Sequence, residues 1–263
     1  MKKIIAIALT ALMLAAMLCG CTANTTKGKL VLGTSADYPP FEFHMLNEKG
    51  EDVIVGIDVF VAEKIAEDMG LELEIVDISF DNLLTAMDKG QCDIVIAAME
   101  LDPERDKVAD FSDPYYFDLP PMILVKKDAA AQFTSLESFT GLTVGAQTGT
   151  TKEDIVLNDL TGAELLSLAT VNDLVNNLVY DKCSALVLDG AVAMKYAETN
   201  ASLVVCEAIS LGEAAPYRVA VKEGDPKGLL ESINKTLAQI TSDGTMDMYI
   251  TDADAMSVDA LEG

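Results

Sequence analysis

Hydrophobic and polar positions recur along this chain in two periods. Val61, Ile65 and Met69 return every four residues, and Glu63, Lys64, Glu67 and Asp68 fill the other face. That spacing predicts a helix over 56–69, stopped by Gly70. Residues 71–75 alternate Leu-Glu-Leu-Glu-Ile, the pattern of a half-buried strand. Residues 29–33 read as an apolar strand. Residues 93–98 form an unbroken apolar run, as in a strand covered on both faces. A short helix over 80–89, ended by Gly90, lies between 71–75 and 93–98. The pattern then restarts. Strands over 142–146, 165–168 and 185–188 alternate with helices near 151–159, 171–180 and 191–198. Residues 122–125, after Pro120-Pro121, and residues 217–221 read as crossover strands, and a helix over 226–240 closes at Ser242-Asp243-Gly244. Alternating strands and helices imply an α/β fold with parallel sheets. Two crossovers make one lobe discontinuous, with the tail returning to it.

The first segment reads as an address. Lys2 and Lys3 form a positive start, and 4–18 is an apolar core of signal length, short for a membrane span. Leu18-Cys19-Gly20-Cys21 resembles the bacterial lipobox, in which a peptidase cuts before the Cys and the thiol carries diacylglycerol. The resemblance implies a lipoprotein signal peptide over 1–20, lipidation at Cys21, and a polar tether over 21–28. A plain secretory peptide and an uncleaved anchor helix are the alternatives. Two acyl chains make a stable anchor, so the expected location is the extracytoplasmic face of the cell membrane. The remaining thiols are Cys92, Cys183 and Cys206, an odd number that excludes a complete disulfide framework. Cys92 and Cys183 precede apolar strands and read as small buried apolar residues. A Cys183–Cys206 bridge stays open.

Charge narrows the function. Lys and Arg number 18 against 43 Asp and Glu, a formal net charge of −25 among 263 residues. Nucleic acid is excluded as a partner, since no basic patch can displace counterions. Adsorption of the folded part to an anionic membrane is excluded as well; the membrane is reached through the lipid anchor only. One His and no Trp leave no His-rich metal site, and a Ser-His-Asp triad only through His44. No metal or cofactor is expected.

Candidate chemistry gathers after strands, where open α/β sheets bind ligands. Asp102-Pro103-Glu104-Arg105 follows the buried run, with Asp102 at a helix N-cap and Pro103 at N1. Arg105 is the only Arg before position 218 and suits bidentate capture of a carboxylate. Taken alone, it serves equally as a surface or capping residue. Gln147-Thr148-Gly149-Thr150-Thr151 follows a strand and opens a helix, where N–H groups and hydroxyls suit an anion. Asp189, at the end of 185–188, can pair with an ammonium group or cap a helix. Tyr38-Pro39-Pro40-Phe41 and Phe80 present aromatics at strand ends; facing one cleft, they would sandwich a small molecule.

These motifs, in this order, resemble the polar amino-acid-binding proteins of ABC importers, solute-binding protein family 3. The resemblance covers essentially all of 29–250. It rests on Tyr38 to Phe43, Gly56-Ile57-Asp58, Gly90 to Ala98, Pro103-Glu104-Arg105, Asp110 to Tyr116, Gln147 to Thr151, Asp189 and Asp243-Gly244-Thr245. It implies a periplasmic binding protein type II fold, two Rossmann-like α/β lobes joined by two hinge strands and closing over the ligand. Lobe 1 would hold 29–119 and 217–263, and lobe 2 would hold 120–216. The chain would be a monomer without enzymatic activity, delivering an amino acid to an ABC transporter permease. Arg105 would hold the ligand carboxylate, helped by the backbone at Ala98 and Thr151, with Ala97 beside them. Asp189 would pair with the α-ammonium. Tyr38 and Phe80 would stack on the aliphatic part, and Ser35 and Gln147 would read the side chain. Asp110 to Tyr116 would lead to the first hinge, its carboxylates acting as caps and turns.

One departure stands out. Glu100 replaces the family's usual Thr or Ser. Its charge would disfavour acidic ligands, leaving neutral polar or cationic amino acids. It could instead accept a second hydrogen bond from the ligand ammonium, pair with Arg105 and weaken carboxylate capture, or serve as a general acid of raised pKa in a dehydratase-type enzyme on small carboxylates. A ligand-sensing accessory is a further alternative on the same fold.

Overall fold

The computed structural model describes residues 28–262. The expected signal peptide, Cys21 and nearly all of the tether lie outside the described residues. The first stretch builds β1 (Lys29–Thr34), β2 (Asp37–Tyr38), β3 (Glu42–Leu46), β4 (Asp52–Val55), α1 (Ile57–Asp68), β5 (Glu72–Asp77), α2 (Leu83–Asp88), β6 (Ile94–Val95) and β7 (Ala109–Tyr116). The middle builds β8 (Met122–Lys126), β9 (Thr143–Gln147), α3 (Thr151–Asn158), β10 (Glu164–Leu168), α4 (Val171–Val179), β11 (Ala185–Leu188), α5 (Gly190–Thr199) and β12 (Leu203–Val205). β13 (Tyr217–Lys222), α6 (Leu230–Ser242) and α7 (Thr245–Glu262) follow.

Two five-stranded sheets form the two lobes, in the orders β5-β1-β6-β13-β7 and β10-β9-β11-β8-β12. Each sheet is mixed rather than parallel. β1 runs parallel to β5 and β6, and β9 to β10 and β11, because helices return the chain between them. β13 runs antiparallel to β6 and β7, and β8 antiparallel to β11 and β12. β8 follows β7 of the other sheet, and β13 follows β12 of the other sheet, so no helical return within one sheet sets their direction. Residues 122–125 and 217–221 are therefore sheet members rather than crossovers. The chain passes between the sheets over 117–121 and 206–216 instead.

Local chemistry sets the boundaries. Gly70, at φ 69°, ends α1 with Gly70 N–H on Glu67 O and Leu71 N–H on Ala66 O. That pair of bonds closes the last turn, and the left-handed residue costs a glycine little. α6 starts four residues later than the sequence pattern suggests. The Asp225 carboxylate accepts from Leu229 N (2.8 Å) and Leu230 N (3.1 Å), so a turn precedes the helix. Within the apolar run at 93–98 only Ile94–Val95 form a strand, flanked by the N–H bonds of Asp93 and Ile96 to β1, and Ile94 to Met99 are all buried. α7 has no forerunner in the periodicity, because its buried positions include the small residues Ala253 and Ser257. It packs on α6 and on α5 of the other lobe, where Lys195 reaches Asp254. Cys92, Cys183 and Cys206 are buried and free, which closes the question of a bridge.

Candidate ligand-binding site

A cleft of about 310 Å³, counting space open to solvent, lies between the lobes. Ser35, Tyr38, Phe80, Ala97, Ala98, Glu100, Arg105, Gln147, Thr151 and Asp189 all line it. The sequence singled out every one of these. Glu42, Thr150 and Lys152 line it too; Glu42 and Thr150 belong to motifs of the family resemblance, and Lys152 to none.

Arg105 opens a single 3₁₀ turn, Arg105–Lys107, rather than the longer helix its capping residues suggest. Asp102 still caps that turn, accepting from the backbone N–H of Glu104 and Arg105 at 2.8 Å each. The guanidinium is fixed at three nitrogens: Nη1 donates to Glu100 O (2.6 Å), Nη2 to Gly149 O (3.0 Å), and Nε pairs with Asp102 (3.1 Å). Its plane lies over the Phe80 ring, 5.2 Å from the centroid. A guanidinium carries five N–H donors, so two remain for a carboxylate.

Asp189 holds the N-cap position of α5, but its side chain makes no capping bond. It turns into the cleft. Oδ2 accepts from the Tyr38 hydroxyl at 2.6 Å, and Oδ1 meets the Lys152 ammonium. Lys152 also donates to Glu100 Oε2 at 3.0 Å, and Thr151 Oγ1 donates to the same oxygen at 2.5 Å. Glu100 thus pairs with Lys152, not with the Arg105 guanidinium. Burial pushes Glu100 up, but Lys152 and Thr151 more than offset it and hold it below the usual carboxylate range. That is the opposite of a general acid of raised pKa. Burial pulls Lys152 down, yet Asp189 and Glu100 together carry it above its ordinary value, so the ammonium stays charged. Burial pushes Asp189 up and Lys152 restrains it.

Of the two backbone positions expected to help hold the carboxylate, Ala98 and Thr151, the Ala98 N–H has a partner in the chain itself, as does the N–H of nearby Gly149. Ala98 N–H donates to Asp58 Oδ2 at 2.6 Å, and Gly149 N–H donates to Glu153 Oε2 at 2.8 Å. Ala98 stands at φ 44°, a conformation that costs a non-glycine residue about 1 kcal/mol or more. The Asp58 bond and the Tyr115 hydroxyl, 2.7 Å from Asp58 Oδ1, hold that turn in place. Burial raises Asp58 to about 6. Burial and the Asp58 charge raise Glu42 well above the carboxylate range, so Glu42 is a neutral acid at the cleft floor. Ser35 Oγ and Gln147 Nε2 both reach Asp37 Oδ1, at 3.3 and 3.4 Å. Asp110 is no ligand candidate; it accepts from Gly224 N–H at 2.8 Å.

Lys152 is the residue the pattern concealed. The signal for it was Glu100. A buried carboxylate in place of a hydroxyl requires a counter-charge, and Lys152 directly follows Thr151.

The comparisons with known proteins agree with this geometry. Residues 30–251 match the model of the bacterial extracellular solute-binding proteins, family 3. The arginine-binding extracellular protein ArtP of Bacillus subtilis is 35% identical over 86% of this chain and 86% of its own length. The ABC transporter arginine-binding protein 1 of Escherichia coli is 30% identical over 89% of this chain and 94% of its own. An amino acid ABC transporter substrate-binding protein of Streptococcus pneumoniae, solved bound to L-arginine, superposes with a TM-score of 0.82 at 36% identity, covering 87% of this chain and 94% of that one. With two mixed-sheet lobes, a cleft between them and a match over most of its length, this chain belongs to family 3 of the bacterial extracellular solute-binding proteins.

Proposed function

We propose that this protein captures a polar L-amino acid outside the cytoplasm and delivers it to an ABC transporter permease. The observation that carries the reading is the placement of Arg105 and Asp189, which face one cleft from opposite lobes. A zwitterion presents a carboxylate to the first and an ammonium to the second, so both charges are satisfied only between the lobes. Ser35, Tyr38, Phe80, Ala97, Glu100, Gln147 and Thr151 complete the ligand's surroundings. Ala98 enters through its carbon face, its N–H being held by Asp58. The protein binds without chemical turnover, as the names of its relatives support.

L-Arginine is the first candidate ligand, and neutral or cationic amino acids are favoured over acidic ones. Glu100 alone does not carry that preference, since Lys152 compensates its charge. It rests on the relatives' ligand and on the net charge of −25, which draws cations toward the surface. Lobe 1 spans 29–119 and 217–263, and lobe 2 spans 120–216; sheet membership supports these limits. The mature chain is a monomer held at the membrane by lipid on Cys21.

A thermal-shift screen of the leaderless protein against the amino acids, followed by calorimetry, tests the ligand. L-Arginine raises the melting temperature if the reading holds; no response to any amino acid overturns it. Cell fractionation tests the anchor. Cys21→Ser releases the protein in soluble form, and a wild-type protein that is already soluble and unlipidated overturns the assignment.

A further inference from the structure

We propose that Lys152 is an internal occupant of the cleft, filling the ammonium subsite between Asp189 and Glu100 so that an amino acid binds by displacing it. The inference rests on the amino-acid reading above for its ligand; the occupant itself rests on geometry. Lys152 lies in the first turn of α3, and its side chain is 4% exposed. An ammonium has three N–H donors, and three acceptors surround this one: Glu100 Oε2 at 3.0 Å, Thr151 Oγ1 at 3.2 Å and Asp189 Oδ1. The Tyr38 hydroxyl takes the other Asp189 oxygen, so no second cation is needed there.

A ligand ammonium offers the same charge and the same number of donors. It can replace Lys152 between the two carboxylates but cannot share the space, because two cations would then face each other. Displacement is feasible. Thr150 and Thr151, beside Lys152, are half-buried at the cleft edge, and a long flexible stem lets the lysine reach water. Glu100 comes from one lobe and Asp189 from the other, so the Lys152 ammonium also ties the lobes together. A carboxylate without an ammonium needs only Arg105 and leaves Lys152 in place. Lys152 therefore lowers the preference for an amino acid over its deaminated counterpart.

Lys152→Gln and Lys152→Met in the leaderless protein test this, each with circular dichroism as a check on folding. Two variants are used so that one folding failure leaves the other readable. Small-angle scattering is recorded without added amino acid, and calorimetry uses L-arginine and its 2-oxo analogue. Both variants are expected to show a larger radius of gyration than wild type, since two facing buried carboxylates lose their shared cation. Affinity for L-arginine is expected to rise at least about tenfold, the release expected where the occupant leaves the site free no more than a tenth of the time. Affinity for the 2-oxo analogue is expected to stay within about threefold, given that its carboxylate contact is untouched. If L-arginine binds the variants no more tightly than wild type, Lys152 is not a competitor and the inference falls. If neither wild type nor variants bind L-arginine but the variants still expand, the internal occupant stands and the ligand assignment fails instead.

Discussion

Arg105→Ala is the most direct perturbation of the cleft. The side chain is 10% exposed, and Glu100 O, Gly149 O and Asp102 hold it in one orientation. The guanidinium is therefore preorganised, and two of its five N–H donors remain for a ligand carboxylate. Truncating one member of a desolvated, hydrogen-bonded charge pair costs about 2–5 kcal/mol. At about 1.4 kcal/mol per decade, the dissociation constant rises roughly 30- to several-thousand-fold. Arg105→Lys keeps the charge but has three donors and no planar fork, so it cannot hold its three protein partners and a carboxylate together. Its loss falls at the low end of that range. The fold survives, because Asp102 caps the turn through backbone N–H groups that the substitution leaves in place. Calorimetry on the leaderless proteins, with L-arginine or whichever amino acid gives the largest thermal shift, reads the effect. An Arg105→Ala protein that binds as tightly as wild type refutes the carboxylate assignment.

Four further outcomes follow from the same contacts. Glu100→Thr frees Lys152 from one carboxylate, so affinity for L-glutamate rises relative to L-arginine; calorimetry showing an unchanged ratio contradicts this. Burial raises Asp58, ordinarily near 3.8, to about 6. The folded state then holds a proton that the unfolded state releases, so this stabilisation is full below about pH 4 and is lost as the pH rises through 6, with a span of about 3 kcal/mol. Asp37 and Asp118, both raised to about 6 by burial, act in the same direction. Melting temperature should fall between pH 4.5 and 7, and a rise across that window sinks the reasoning. A Cβ at Gly190 would lie 2.6 Å from Pro120 O and 2.5 Å from Leu119 Cβ in the connecting segment, so Gly190→Ala costs about 1–3 kcal/mol in urea unfolding. Burial pushes Cys92 and Cys183 up to about 11 and raises Cys206, so a thiol reagent labels none of the three in the folded protein and all three in guanidinium.

What was legible in the chain depended on whether it was local. The α1 periodicity, the β5 alternation and the Gly70 stop are each decided within a few residues, and the structure keeps them. Strand direction is not local. Tyr217–Lys222 reads as extended in isolation, but only its partners β6 and β7 make it antiparallel. The hairpin of β2 and β3 with β4 leaves no clear pattern in the chain, because its strands are short and lie among prolines and polar residues. At the cleft, residues at strand ends were legible from position, as Arg105, Gln147 and Asp189 show. Their partners were not. Nothing within 150 residues of Tyr38 in sequence indicates that its hydroxyl meets Asp189, 151 positions away. Glu100 and Lys152, 52 positions apart, make sense only as a pair.

The contacts that join the lobes at the cleft are few, and this bears on how a ligand can govern closure. Tyr38 bonds Asp189, Arg105 bonds Gly149, Asp37 accepts from Val171 N and Gln147 Nε2, and Glu100 accepts from Thr151 and Lys152. A hydrogen bond contributes about 0.5–1.5 kcal/mol net, so six supply roughly 3–9 kcal/mol, against the cost of immobilising one lobe on the other. Moving a two-state equilibrium from 1:99 to 99:1 requires about 5.5 kcal/mol of differential binding. A ligand that joins Arg105 to Asp189 adds two charge-assisted bonds at Arg105, each worth about 1.5–3 kcal/mol, while its ammonium takes over the contacts of Lys152. The lobes' own contacts and the ligand's are thus of one size. Closure can then follow occupancy, because neither set dominates the other. Substitutions at Tyr38 or Asp37, which touch the opposite lobe directly, should shift ligand-free compaction as well as affinity.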